Sequence, residues 1–157
     1  MEITLQNGRK IGDNHPTYII AEIGINHNGS VEIAKKLIDK ASIIGIDAVK
    51  FQKRTIEEMY RLDFLKTSYN KDNSFGYTYG DHKNFLEFSD EQLIELKEYT
   101  EFRNLDFIIS GFDFSGFDFI NDSLDVPFHK LASPLVSHIP LLIHIAKYGK
   151  PMVLSTG

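Results

Sequence analysis

The stretch from Tyr18 to Arg54 reads as an apolar strand, a polar loop rich in Gly and Asn, an amphipathic helix, and a second buried strand that carries a lysine. Two short apolar runs separated by a helix are the pattern of a parallel βαβ crossover, because parallel neighbours cannot be joined by a tight turn. Tyr18 to Ile23 is the first strand. Ser30 is placed to cap a helix whose apolar positions Ile33, Leu37, Ile38, Ala41 and Ile44 fall on one side, and Gly45 ends it. Ala48 to Phe51 makes the next strand. This order sets the carboxylate of Glu22 and the ammonium of Lys50 at the carboxyl ends of consecutive strands, where an α/β barrel keeps its chemistry.

The cycle resumes later in the chain. Ser89-Asp90-Glu91-Gln92 has the capping-box pattern and opens a helix carrying Leu93, Leu96, Tyr99 and Phe102. Phe107 to Ser110 is a third strand, a Phe-rich helix follows near Ser115 to Asn121, and Phe128 to Leu131 is a fourth strand. A helix begun by Pro140 and closed by Gly149 leads to a fifth, Met152 to Ser155. Strands alternating with helices imply a parallel sheet, either doubly wound or part of a (β/α)8 barrel. About five βα units fill only part of a barrel of ~250 residues. From Lys53 to Phe88 the chain is polar and aromatic-rich without a sustained period, and a connection of roughly 35 residues is usually functional or partly disordered.

Composition narrows the rest. The chain of 157 residues, 42% of them hydrophobic, has the size and apolar content of one globular domain. It contains no cysteine, which excludes disulfides and thiolate metal sites and agrees with a cytoplasmic location. No apolar run approaches the ~20 residues of a membrane span, so no membrane partner is expected. A net charge of −5 with scattered basic residues argues against nucleic acid.

Side chains alternate along a strand, so Ile20 shares a face with Glu22, Ala48 with Lys50, Ile108 with Ser110, Phe128 with Lys130 and Val153 with Ser155. In every pair the later residue is polar. If these faces point inward, one carboxylate, two lysines and two hydroxyls converge at one end of the sheet; the plainer alternative is that polar residues simply resume where strands end. A buried lysine without an anionic partner is costly, and two at equivalent positions strengthen the first alternative.

The loop Gly24 to Ser30 has P-loop glycine spacing but lacks the lysine that should follow, so it is not a nucleotide loop of that kind. It serves either as a turn and helix cap or as a source of amide and imidazole donors, Asn26 and His27, over a polar substrate. In the long connection Tyr77, Tyr79, His82 and Lys83 could close over a sugar, whose faces mix apolar and hydroxyl character. Ser155, Thr156 and the Gly157 amide suit phosphate oxygens. The histidines show no i, i+4 pair within one helix, so spacing yields no metal ligands. His129, which alternates away from Lys130, is expected to pack beneath a helix.

The segments AEIGINHNGS, DAVKFQKR, HKLAS, IPLLIHIAKYGKP and LSTG, in this order, resemble the sialic acid synthase family. That resemblance implies a (β/α)8 barrel followed by an antifreeze-like domain, condensation of phosphoenolpyruvate with N-acetylmannosamine or a related amino sugar, a divalent metal (Mn or Mg), and a homodimer at full length. Residues 1–157 would be the N-terminal portion of the barrel, without its later units, the metal ligands or the second domain. By matching motif, Glu22 corresponds to the catalytic glutamate. Lys50, Lys130, Ser133 and Ser155 correspond to groups around the carboxylate and phosphate of phosphoenolpyruvate. Ser110 stands where the family usually has the threonine of an STPF-like motif, and Gly111 where it has the proline.

Overall fold

A computed structural model describes residues 2–5 and 7–157. Five parallel strands form one sheet: β3 (Ile20–Gly24), β4 (Ala48–Lys53), β5 (Asp106–Gly111), β6 (His129–Leu131) and β7 (Met152–Leu154). They lie in chain order, β3-β4-β5-β6-β7. A doubly wound sheet reverses its strand order part-way, whereas a barrel adds each new strand on the same side of the last. The unreversed order therefore makes this a partial (β/α)8 barrel, with β3 and β7 at its edges.

Helices cover the outer face. In α1 (Val31–Ile43) the Ser30 hydroxyl accepts the Ile33 amide, and Ala34, Ile38 and Ala41 are buried against the sheet. The face expected from the sequence is rotated: Ile33 is exposed and Ile44 is 72% exposed, while Ala34 takes a core position. In α5 (Asp90–Phe102) the Ser89/Gln92 capping box forms as expected. Leu93, Leu96 and Thr100 face the core, but Phe102 is 75% exposed at the last turn. The remaining sheet-covering helices are α6 (Phe114–Phe119), which runs into a π-turn ending at Asp125, and α7 (Ile139–Ala146).

The connection between β4 and α5 is folded rather than irregular. It carries α2 (Ile56–Met59), α3 (Leu62–Leu65) and α4 (Tyr79–Leu86), the last opened by a Thr78/Asp81 capping box. Helical periodicity was hidden because two of these helices are only four residues long. At the foot of the excursion Arg54 Nε lies 2.7 Å from Glu87 Oε1, both side chains nearly buried, and the Arg54 amide donates to Glu87 Oε2 at 3.2 Å. Asp113 ties the same foot to α6 by accepting from the Thr55 amide and hydroxyl at 2.7 and 2.8 Å.

The first residues form an antiparallel hairpin, β1 (Glu2–Thr4) and β2 (Lys10–Gly12), that the polar N-terminal sequence did not announce. Its Leu5 is buried with Ala48, Ile108 and Phe128, the lower residues of the inner sheet face. Asn7 and Tyr18 donate to the two Asp106 carboxylate oxygens at 2.8 and 2.5 Å, and Arg9 pairs with Asp47 at 2.9 Å. The hairpin thus closes the amino-terminal end of the inner face and leaves the other end for polar groups.

Candidate active site

Register decides which side chains meet. Glu22 lies opposite Lys50, and Ser110 opposite Lys130. Because Ala48, Ile108 and Phe128 pack inward under the hairpin, the residues two places further along share that inward face. Lys50 Nζ accordingly reaches across to donate to Ser110 Oγ at 3.1 Å and forms an ion pair with the Glu22 carboxylate. Lys130 Nζ donates to Ser155 Oγ at 2.8 Å and to the Leu131 carbonyl at 2.5 Å. The inner face is apolar at one end and carries a carboxylate, two ammoniums and two hydroxyls at the other.

The two ammoniums influence one another. Burial lowers the Lys130 pKa, the nearby Lys50 charge lowers it further, and Glu22 opposes both. Two cations close enough for one charge to act on the other, each with a hydroxyl beside it, have the charge and donors that an anion with more than one charge requires. Gln52 belongs to this face as well. A Cβ at Gly24 would stand 3.0 Å from Glu22 Oε1 and 3.5 Å from Gln52 Nε2, so the carboxylate and the amide border the same gap. The alternation that selects Lys50 reaches Gln52 two residues later, past the strand end at Phe51 expected from the sequence.

Other expected residues are placed differently. His27 does not present its imidazole over the sheet end: it is 2% exposed, stacked on Phe88 at 4.0 Å, and its Nδ1 accepts the Gly29 amide at 3.0 Å. Burial pushes its pKa down to about 4, so the ring is neutral and serves as a support for the β3–α1 loop. Asn26 donates to the Ile23 carbonyl at 2.9 Å and closes the same loop. Tyr79 packs against Tyr60, Phe64 and Tyr69, and His82 against Tyr69 and Phe75. Among the described residues neither makes a hydrogen bond or ring contact with the lysine pair; both build the interior of the excursion. Ser133 opens the 3-10 turn after β6, and Thr156 is exposed just beyond β7.

Gly111 stands where a Cβ would lie 2.8 Å from the Phe117 ring, so Phe117 fills the space a larger residue would need. His129 is fully buried beside the Phe117 and Tyr148 rings, on the outer side as its alternation implies, and burial lowers its pKa to about 4. Among the described residues no three His, Asp or Glu side chains are grouped to hold a metal ion. No helix of the described residues is long and apolar enough to cross a membrane.

Residues 37–157 match the NeuB family. The chain belongs to the NeuB family. Over all 157 residues this NeuB-family chain is 42% identical to human N-acetylneuraminate-9-phosphate synthase, covering 44% of that protein. It is 35% identical over 147 residues to the N,N'-diacetyllegionaminic acid synthase of Legionella pneumophila, covering 93% of this chain and 41% of that one. The chain thus spans less than half the length of these curated relatives. In three dimensions it resembles the N-acetylneuraminic acid synthetase of Leptospira borgpetersenii, crystallised with citrate, with a TM-score of 0.82 and 31% identity over 100% of this chain and 50% of that one. A truncated 3-deoxy-D-arabino-heptulosonate 7-phosphate synthase from Thermotoga maritima, at 14% identity and a TM-score of 0.64, shares the fold over 100% of this chain and 45% of that one.

Proposed function

We propose that this chain supplies the anion-binding part of an enzyme that condenses phosphoenolpyruvate with N-acetylmannosamine or a related N-acetylated amino sugar, giving a nonulosonic acid and inorganic phosphate. The reading is carried by the two lysines on β4 and β6, either side of β5, each with a serine hydroxyl in hydrogen-bond contact. Phosphoenolpyruvate brings a carboxylate and a phosphate on one small skeleton, which suits two cations better than one. Ser133 and Thr156, on the turns just past β6 and β7, are the further hydroxyls assigned to that anion.

The chemistry accounts for the residue types. The enol carbon C3 attacks the aldehyde carbon of the open-chain sugar, forming the new C–C bond while the aldehyde oxygen takes a proton. Water adds to the cationic C2 and loses one proton; the bond from C2 to the phosphate-bridging oxygen then breaks, phosphate leaves with the electron pair and takes up the proton given off by the new C2 hydroxyl, and C2 becomes a ketone. Lys50 and Lys130 hold the anion and oppose the charge that moves onto the departing phosphate. Glu22 is the carboxylate nearest the lysines and is assigned the proton of the attacking water. A divalent metal would polarise the aldehyde in such a reaction, and its ligands are assigned outside residues 1–157.

In this reading the chain is the N-terminal portion of a cytoplasmic barrel enzyme that dimerises at full length, with later βα units covering the edges of β3 and β7. The names of the animal relatives specify a 9-phosphate product, which favours a second version in which the acceptor sugar is itself phosphorylated. Comparing phosphorylated and free N-acetylhexosamines as acceptors separates the two.

Calorimetric titration of phosphoenolpyruvate tests the anion site directly. Binding is expected for the wild type and at least a tenfold weaker response for Lys50→Met and for Lys130→Met, since each removes one charge-assisted contact worth about 1.5–3 kcal/mol. Equal binding by all three proteins would reject the assignment.

A further inference from the structure

Lys50 serves two partners, the Ser110 hydroxyl and the Glu22 carboxylate. We propose that Glu22 and an incoming phosphoenolpyruvate compete for the Lys50 ammonium, so that arrival of the anion releases Glu22 toward the second substrate. The inference rests on the anion site described above and adds an order of events to it.

The two partners are unequally held. Lys50, on β4 between β3 and β5, is held by the Ser110 hydroxyl as well and has a side chain only 12% exposed, whereas among the described residues the Glu22 carboxylate is held by Lys50 alone. The lysine is therefore the fixed member and the carboxylate the movable one. With Glu22 in contact, one of the two lysine charges is already neutralised. An anion approaching Lys50 then meets a like charge a few ångström away, which weakens binding unless the carboxylate turns aside.

The surroundings give the carboxylate somewhere to turn. Gly24 has a φ of +55° and no side chain, and both Glu22 Oε1 and Gln52 Nε2 border the space a Cβ would occupy. A carboxylate leaving Lys50 can accept from the Gln52 amide without crossing a side chain. Until that happens the carboxylate is engaged by the lysine rather than by water. Binding of the first substrate thus frees the group that the second half of the reaction requires.

The competition makes an unusual demand on the variant. Glu22→Gln, which keeps the shape and removes the charge, should bind phosphoenolpyruvate more tightly than the wild type, by roughly 5- to 20-fold, even though it loses a group assigned to the chemistry. Calorimetric titration of phosphoenolpyruvate and, separately, inorganic phosphate into the full chain reads this, with far-UV circular dichroism to verify folding. If Glu22→Gln does not fold, Glu22→Asp, whose shorter arm draws back from Lys50, should show the same direction of change. Unchanged or weaker binding of both anions by a folded variant, with a wild type that does bind, overturns the exchange while leaving the phosphoenolpyruvate site in place. Tighter binding of inorganic phosphate alone, with no wild-type or variant response to phosphoenolpyruvate, supports the exchange and rejects that substrate.

Discussion

At the level of single residues, the proposed anion site depends on the charge of two lysines. Lys130 has its pKa lowered by burial first and by Lys50 second. A lysine with a depressed pKa loses its charge at a lower pH than a free one, so anion affinity should begin to fall in the alkaline range before the ordinary lysine value of 10.5 is reached. Calorimetric affinity for phosphoenolpyruvate measured from neutral pH upward should show this early decline, and Lys130→Arg, which stays charged, should delay it. A decline that first appears at the pH of a free lysine would remove Lys130 from the anion site. Both lysines were legible in the sequence because alternation along a strand is a rigid rule. His27 was not: a Gly- and Asn-rich loop looks solvated, and nothing local reveals that Phe88, some sixty positions away, lies beneath its ring.

At the scale of elements, the excursion between β4 and α5 depends on how its two ends are held. Arg54 is its first residue and Glu87 caps the end of α4 near its close, and the Arg54 guanidinium also lies over the Phe112 ring at 5.5 Å. The 2.7 Å contact is ionic rather than a well-aligned hydrogen bond, since neither Arg54 Nε nor Glu87 Oε1 gains an aligned partner. Burial raises the Glu87 pKa, with Arg54 pulling the other way. Removing only the arginine should therefore strand a buried carboxylate. Arg54→Met is expected to cost about 3–5 kcal/mol, whereas Arg54→Met with Glu87→Leu should recover most of it. Denaturant unfolding measures both variants, and equal losses would show that the pair does not act as a unit. Helices α1 and α5 were readable from their caps, Ser30 and Ser89, because a cap is a local hydrogen-bond arrangement. Which side they bury was less readable, since Ile44 and Phe102 fall at the last turns, where helix and sheet diverge.

At the scale of the whole molecule, two histidines bind acid stability to the core. His27 and His129 are both buried, and both have pKa values lowered from 6.5 to about 4 by burial. The folded form favours the neutral ring, while the unfolded chain takes up a proton first as pH falls. The contribution is complete above pH 6.5 and is lost progressively between 6.5 and about 4. Urea midpoints should therefore drop over that interval, and His129→Leu should flatten the slope; an unaltered slope would mean that His129 is not neutral in the folded state. The barrel architecture was legible only in part. Alternating strands and helices allow two topologies, and strand order, which separates them, is a long-range property.

The hairpin floor has a consequence for how such a chain is assembled. Asn7 and Asp106, which help lock it, are 99 positions apart, and Leu5 waits for Phe128. The hairpin can pair within itself, but its docking beneath the sheet waits for Asp106 and Phe128 to be in place. Closure beneath the sheet is then a late and slow event, governed by the entropy of joining distant ends.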